Sequence, residues 1–379
     1  MFELLHSKPL AYFGKGAVEK MEGIAEKIDG RLLIITTKSA YKRSGAWDVV
    51  KGALEYTGLE YELYDRVRAN PTYENCDEAA SIGAEWVMGI GGGSAIDTAK
   101  IVSVLIRHRD KRVKDLLEDG FEVKGSCPKI AINLTHGTGT EVDKFAVSQS
   151  DGEYRIGIGL KEFYPDYAID DPELTRTLPG NQTIATSIDA LNHAFEAATN
   201  VSSNPYSILL AKEAVRIIAE NLRNALDEPR DTDLRGTLLF ASAIAGISFD
   251  ITGTHITHVL EHAISAIKPE ITHGVGLAIF LPAIVEAIYP AMPELVAELL
   301  SPIADLKGKR DEGTKAKEEV RAWLESFGIN VHLRDYGLSR DDEDEIVKKT
   351  LSRFFVQQLE CAPVKVDEAL VKKVVGESF

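Results

Sequence analysis

Apolar and polar positions divide this chain into two unlike parts. In the first, short apolar runs of strand length alternate with stretches of helical spacing. Arg31 to Thr37 holds Leu32, Leu33, Ile34 and Ile35 in succession, which predicts a strand buried on both faces. Helix is predicted over Ser44 to Thr57 and Tyr73 to Ile82, and strand over Glu60 to Asp65, Trp86 to Ile90 and Lys129 to Asn133. A long helix is expected after Ser94. This alternation implies a parallel, Rossmann-like α/β sheet. Between Phe145 and Ile169 the helical pattern fades, and Val147, Tyr154 to Ile158 and Tyr167 to Ile169 suggest shorter strands and a hairpin.

From Leu178-Pro179-Gly180 onward the spacing is helical throughout. Helices are predicted over Ile184 to Ala198, Pro205 to Leu222, Leu234 to Phe249, His255 to Ile267, Val275 to Ala287 and Leu295 to Leu306. Lys315 to Phe327, Asp341 to Phe355 and Asp367 to Val375 continue the pattern. The expected organisation is an α/β domain over residues 1–179 and an all-helical domain over 180–379, with the ligand site in the cleft between them.

Charge narrows the partners. The formal net charge of −16 argues against a nucleic-acid or anionic-membrane surface. Val275 to Tyr289 is the most apolar stretch, but Pro282 and Glu286 interrupt it and it is short for a bilayer span. The first residues, Met1 to His6, lack a basic region followed by an apolar core, so no signal peptide is expected. Cys76, Cys127 and Cys361 are few and far apart, which fits a reducing compartment, and a cytoplasmic protein is expected.

Two clusters carry chemistry. Gly89-Ile90-Gly91-Gly92-Gly93-Ser94 lies between a predicted strand and a predicted helix, with Asp97 and Lys100 beyond. Free N–H groups and the helix dipole at such a turn favour a phosphate. The second cluster is histidine-rich. Asp189 and His193 are four apart on one predicted helix, His258 and His262 four apart on a second, and His273 opens a third. One carboxylate and imidazoles from three helices suit a divalent metal such as Fe2+ or Zn2+. Taken singly, an Asp–His pair at helical spacing is more often a surface pair, and an apolar-face histidine more often a core residue. The clustering of five histidines between His193 and His273 favours the metal.

The run Gly91-Gly92-Gly93-Ser94-x-x-Asp97-x-Ala99-Lys100 resembles the cofactor turn of the iron-containing alcohol dehydrogenase family, in the dehydroquinate synthase-like superfamily. Asp189-Ala190-Leu191-Asn192-His193-Ala194-Phe195-Glu196, His258-x-x-x-His262 and His273-Gly274-Val275 match its metal motifs. The resemblance implies Asp189, His193, His258 and His273 as metal ligands, and His262 as a catalytic histidine near the nicotinamide. Thr135-His136-Gly137-Thr138-Gly139-Thr140-Glu141-Val142 is similar to a second family turn, with Leu134 and His136 as departures. It implies Gly92, Gly93, Ser94, Asp97, Thr135, Thr138 and Thr140 at the cofactor. Asn70, in Asn70-Pro71-Thr72, and Phe145 and Arg155 also fall at family cofactor positions, Arg155 in place of the usual lysine. These motifs run from about residue 10 to 290; beyond residue 300 only the helical character matches.

The implied activity is a metal-dependent NAD(P) oxidoreductase that interconverts an alcohol and an aldehyde or ketone. Glycerol or another polyol is the nearest alternative substrate, and a non-catalytic nucleotide- and metal-binding protein is an alternative of another class. Dehydroquinate synthase would need lysines and arginines near the metal helices, where cations are sparse. By the family match, Thr37 stands where NAD-preferring members carry Asp, with Ser39, Lys38, Lys42 and Arg43 nearby. NADP(H) is therefore expected over NAD(H). A homodimer or larger homo-oligomer is expected, with a small-molecule alcohol or aldehyde as the only other partner.

Overall fold

The computed structural model describes residues 8–150 and 152–379; the N-terminal stretch read above for a leader lies outside them. Its strands are β1 (Leu10–Phe13), β2 (Leu32–Thr37), β3 (Tyr61–Val67), β4 (Trp86–Gly91), β5 (Lys129–Asn133), β6 (Phe145–Gln149), β7 (Arg155–Gly159) and β8 (Tyr167–Asp170). Among them lie helices α1 (Met21–Ala25), α2 (Ala40–Arg43), α3 (Ala46–Thr57), α4 (Tyr73–Ile82) and α5 (Gly93–Leu105), and α6 (Pro172–Thr175) follows. Then come α7 (Gly180–Thr199), α8 (Pro205–Asp227), α9 (Thr232–Thr252), α10 (Ile256–Ile267), α11 (His273–Ile288), α12 (Pro293–Leu299), α13 (Gly313–Ser326), α14 (Glu343–Thr350), α15 (Val356–Glu360) and α16 (Glu368–Glu377). Among the described residues no strand follows β8.

Six strands form a parallel sheet in the order β1-β8-β5-β4-β2-β3, and β6 and β7 pair antiparallel as a separate hairpin. Leu32, Ile34, Met88, Ile90, Ile130 and Ile132 point to a common core with Val50 and Leu54 of α3. The chain steps outward from β2 to β3, then returns to place β4 on the other side of β2. The direction therefore reverses between β2 and β4, and ligands of open α/β sheets bind at the carboxyl ends beside such a reversal. The glycine turn sits there, directly after β4.

Residues 8–150, 155–180 and 224–243 group into a sheet-bearing unit, and 152–154, 181–223 and 244–379 into a helical one. The stretch 224–243 is helical in pattern yet belongs with the sheet. Arg235 explains part of this: it is fully buried, with Nε donating to Pro229 O at 2.8 Å and Nη2 to Leu178 O at 3.3 Å. Phe240 meets Phe13 of β1 edge to face at 5.8 Å.

Several boundaries differ from the pattern. β1 was not foreseen; its four residues are largely exposed, so they carry no alternation. Tyr167 to Ile169 joins the main sheet between β1 and β5, a long-range pairing that local pattern does not encode. The helix expected to reach Leu306 ends at Leu299, because Pro302 lacks the N–H a further turn needs. The helix expected to reach Phe355 ends at Thr350, where Leu351 leaves helical geometry and the chain turns to bury Phe355. Thr232–Thr252 and His273–Ala291 are long and apolar enough to cross a membrane, so length alone does not exclude a span. Both are 72% buried within the protein, as core helices are.

Lys100 ties the framework behind the glycine turn. Its ammonium is 1% exposed and donates to Thr140 Oγ1 and Asp143 Oδ1, both at 2.7 Å, to Phe145 O at 2.7 Å and to Asp143 O at 3.0 Å. Thr140 Oγ1 in turn donates to Asp97 Oδ1 at 2.6 Å, and the Val147 N–H donates to Asp97 Oδ2 at 3.1 Å. Lys100→Met removes the ion-pair partner of buried Asp143 and the cation nearest Asp97, and loss of a buried partner destabilises by about 3–5 kcal/mol. Equilibrium denaturation is expected to show a loss of that size; a change below about 1 kcal/mol would mean the cluster is not a structural tie.

Candidate functional site

The turns after β2, β3, β4 and β5 all lie at the carboxyl edge of the sheet. α5 begins at Gly93 with Gly92 as its cap and no side chain capping it, so its first N–H groups face outward. The glycines serve packing as well as ligand approach. A Cβ on Gly91 would lie 2.6 Å from Ala95 Cβ, and one on Gly92 would lie 2.7 Å from Thr135 Oγ1. A Cβ on Gly93 would lie 2.7 Å from Thr138 Cγ2. The second turn thus closes directly over the first, and Gly92, Gly93, Ser94, Thr135 and Thr138 remain partly exposed together. Such a cradle of N–H groups and hydroxyls suits a pyrophosphate.

Other expected cofactor residues fall in different places. Ser94 Oγ donates to the Ala69 carbonyl and so ties the glycine turn to the one that holds Asn70. Asp97 and Thr140 are buried and bonded to each other and to the framework, which makes them supports of the turn. Burial raises the pKa of Asp97, against the nearby positive charge of Lys100 and Arg155. Phe145 and Arg155 belong to one hairpin but to opposite ends: Phe145 pairs with Gly159 and Arg155 with Gln149. That is roughly 13 Å along the ladder. Thr37 is the last residue of β2, half-buried, and Ser39 caps α2 with no side-chain hydrogen bond to it. Lys38, Lys42 and Arg43 are exposed, Lys42 lying 5.1 Å from the Tyr41 ring centroid.

In the helical unit, α7, α10 and α11 bring Asp189, His193, His258 and His273 together. Asp189 Oδ1 lies 3.5 Å from His193 Nδ1, 3.8 Å from His258 Nε2 and 3.6 Å from His273 Nε2. Asp189 Oδ1 and His258 Nε2 are buried and make no hydrogen bond. Burial alone would raise the pKa of Asp189, but the imidazoles of His193 and His273, with His258, hold it well below the usual carboxylate range. Burial opposes charge on His258, yet Glu196 and Asp189 raise its pKa to about 9. A field that favours a proton so strongly also favours a cation. A buried oxygen without a donor, ringed by imidazole nitrogens, has the donor chemistry of a divalent metal site.

His262 is buried beside His273. Its ring centroid is 5.9 Å from that of His273 and 6.1 Å from that of Phe355. Glu261, His262 and His273 form a second set whose ligand atoms lie within 4.8 Å of one another, as do those of Asp189, His258 and His273. His255 is fully buried between Glu196 and Thr199, with Nδ1 2.9 Å from Glu196 Oε1 and Nε2 3.0 Å from Thr199 Oγ1. Sequence reasoning missed Glu196 and Glu261, which sit behind two of the imidazoles: Glu196 Oε2 is 2.5 Å from His258 Nδ1, and Glu261 Oε2 is 2.5 Å from His273 Nδ1. Their signal was available as two glutamates at fixed spacing beside the histidines.

Two family descriptions match the chain: iron-containing alcohol dehydrogenase over residues 9–172, and the C-terminal part of the Fe-containing alcohol dehydrogenase family over residues 183–375. The protein belongs to the iron-containing alcohol dehydrogenase family. The second match extends the likeness to the C-terminal helices, beyond the motifs legible before residue 290. The chain is 47% identical to a long-chain primary alcohol dehydrogenase from Thermoanaerobacter ethanolicus, covering 100% of this chain and 98% of the relative. It is 31% identical to an NADPH-dependent butanol dehydrogenase from Clostridium saccharobutylicum, covering 87% and 86% of the two chains. The solved structure of an NADH-dependent butanol dehydrogenase A from Thermotoga maritima superposes with a TM-score of 0.91 at 26% identity, covering 100% and 99%. The dehydrogenase is a metal-dependent oxidoreductase with a nicotinamide cofactor, acting between an alcohol and its carbonyl product.

Gly274 sets how closely α11 meets α7. A Cβ there would lie 1.8 Å from the Ala185 carbonyl oxygen, an overlap that only a backbone shift relieves. In the dehydrogenase, Gly274→Ala is expected to push the start of α11 outward, carry His273 away from Asp189, and lower metal affinity at least about tenfold. Titration of the metal-free variant with Zn2+ checks this, and unchanged affinity would contradict the close-approach argument.

Proposed function

We propose that Asp189, His193, His258 and His273 hold the divalent metal, and that His262 exchanges the proton of the substrate hydroxyl. The observation that carries this reading is the buried Asp189 Oδ1, without a hydrogen bond and surrounded by imidazole nitrogens at 3.5–3.8 Å. A metal held there would supply Lewis-acid polarisation of the substrate oxygen, and a bound nicotinamide would supply hydride chemistry. The chain's own residues orient: three imidazoles and a carboxylate converge on one point, with Asp189, His193 and His258 buried. The family name favours iron; zinc accepts the same ligands.

The cofactor we propose is NADP(H) in preference to NAD(H), lying along the turns after β2, β4 and β5. Relatives of both kinds exist by name, so the preference rests on this chain's own strand end. Thr37 offers no carboxylate to repel a 2′-phosphate, and Lys38, Lys42 and Arg43 bring exposed positive charge within a few residues. The relative at 47% identity supports a primary alcohol with an extended alkyl chain as substrate. A homodimer or larger assembly in the cytoplasm completes the proposal; Cys76, Cys127 and Cys361 are all unpaired, in keeping with a reducing compartment.

Loss of absorbance of the reduced nicotinamide, with an aldehyde and a divalent metal present, reads the activity and the cofactor preference. NADP(H) is expected to give the higher kcat/KM. Thr37→Asp is expected to shift the ratio toward NAD(H) by about tenfold or more, the worth of a charge-assisted hydrogen bond. A wild-type preference for NAD(H), or no shift in the variant, would show that the phosphate is read elsewhere. His262→Ala is expected to keep its metal and lose about 100-fold or more in rate; loss of the metal would instead make His262 a ligand.

A further inference from the structure

We infer that Glu196 and Glu261 are positioning residues which set the metal affinity of the centre by fixing the nitrogen that two imidazoles turn inward. The inference rests on the four-ligand reading above. Neutral imidazole carries its hydrogen on one nitrogen only, and a partner on the other nitrogen decides which. A carboxylate accepts and never donates while ionised. Placed 2.5 Å from His258 Nδ1, Glu196 holds the hydrogen on that atom and leaves Nε2, which faces Asp189, as the nitrogen offered to a metal. Glu261 stands in the same place relative to His273, with its Oε2 2.5 Å from Nδ1 and Nε2 3.6 Å from Asp189; here Oε2 and Nδ1 are close but not aligned as a hydrogen bond.

Each carboxylate is itself held. Glu196 belongs to α7 and is fully buried, yet it accepts the backbone N–H of His255 at 3.0 Å and of Thr257 at 2.6 Å. These are first-turn donors of α10, whose own cap residue, His255, supplies no side-chain bond. One glutamate thus ends a neighbouring helix, fixes the direction in which α10 starts, and orients His258 on its first turn. Glu261 is also fully buried, receives the Ser265 hydroxyl on its other oxygen, and packs over Gly276, where a Cβ would lie 2.8 Å from its Cγ. Its partner His273 opens α11. Two separate helix pairs therefore repeat one arrangement: a buried carboxylate on one helix stands against a ring on another.

Isosteric amides test it. In Glu196→Gln and Glu261→Gln an NH2 group replaces one acceptor oxygen, so the outward ring nitrogen can receive a hydrogen bond and the inward one keep the hydrogen. Affinity for Zn2+ is read by competition against a chelating indicator, on protein stripped and reloaded. Each variant is expected to bind about 10- to 100-fold more weakly than wild type, with the thermal midpoint of metal-free Glu261→Gln unchanged and that of Glu196→Gln lowered, because its NH2 group meets a backbone N–H of α10. His258→Ala, run alongside, is expected to bind no metal at this centre. If His258→Ala keeps its metal, the ligand reading fails. If it loses the metal while both amide variants bind as wild type does, the positioning inference alone fails. Complete loss of binding in Glu261→Gln would make Glu261 a ligand and overturn its positioning role. Should Glu196→Gln not fold, because it also ends α10, Glu261→Gln carries the same test through other helices.

Discussion

Asp189 presents a carboxylate oxygen to the protein interior with no hydrogen-bond donor upon it. Leaving a buried acceptor unsatisfied costs about 1–3 kcal/mol, and more when it is charged. Natural structures keep such groups where a ligand compensates them. The helical unit is arranged to meet that condition. α7 supplies Asp189 and His193 four residues apart, α10 supplies His258 on its first turn, and α11 begins at His273. Gly274 allows α11 to start against the α7 backbone at Ala185, and Glu196 binds the start of α10 to α7. Packing of three helices and compensation of one oxygen are thus the same problem.

The sheet-bearing unit solves a different one. It must offer N–H groups to an anion although the chain carries a net charge of −16. Local dipoles do this where the overall field does not. Gly91, Gly92 and Gly93 let α5 and the second turn close upon each other, and Lys100 draws the second turn down through Thr140, Asp143 and Phe145. Asp97 and Lys100 stand inside that framework, so half of the motif shapes the cradle and the other half lines it.

Local pattern made much of this legible. The strand of consecutive aliphatic residues at Leu32 to Ile35, the turn after β4, and the i, i+4 pairs at Asp189–His193 and His258–His262 are short-range signals, and each lies where its spacing implied. Long-range arrangement was not legible. Nothing near Tyr167 says that β8 inserts between β1 and β5, and nothing near residue 224 says that the following stretch joins the sheet. Side-chain direction was hidden too: Asp97 looked like a ligand contact and points into the framework, whereas Glu196, within the quoted metal motif, and Glu261 were given no role and face the rings. A residue's type and spacing restrict its chemistry, but the partner that uses it comes from another helix.

Anomalous scattering from a metal-loaded crystal, collected at the absorption edge of the bound metal, tests the central claim most directly. The account predicts one peak in the helical unit within about 2.0–2.2 Å of Asp189 Oδ1 and of a ring nitrogen from each of His193, His258 and His273, with Glu196 and Glu261 outside bonding distance. A peak held by Glu261, His262 and His273, with Asp189 unbound, would contradict it.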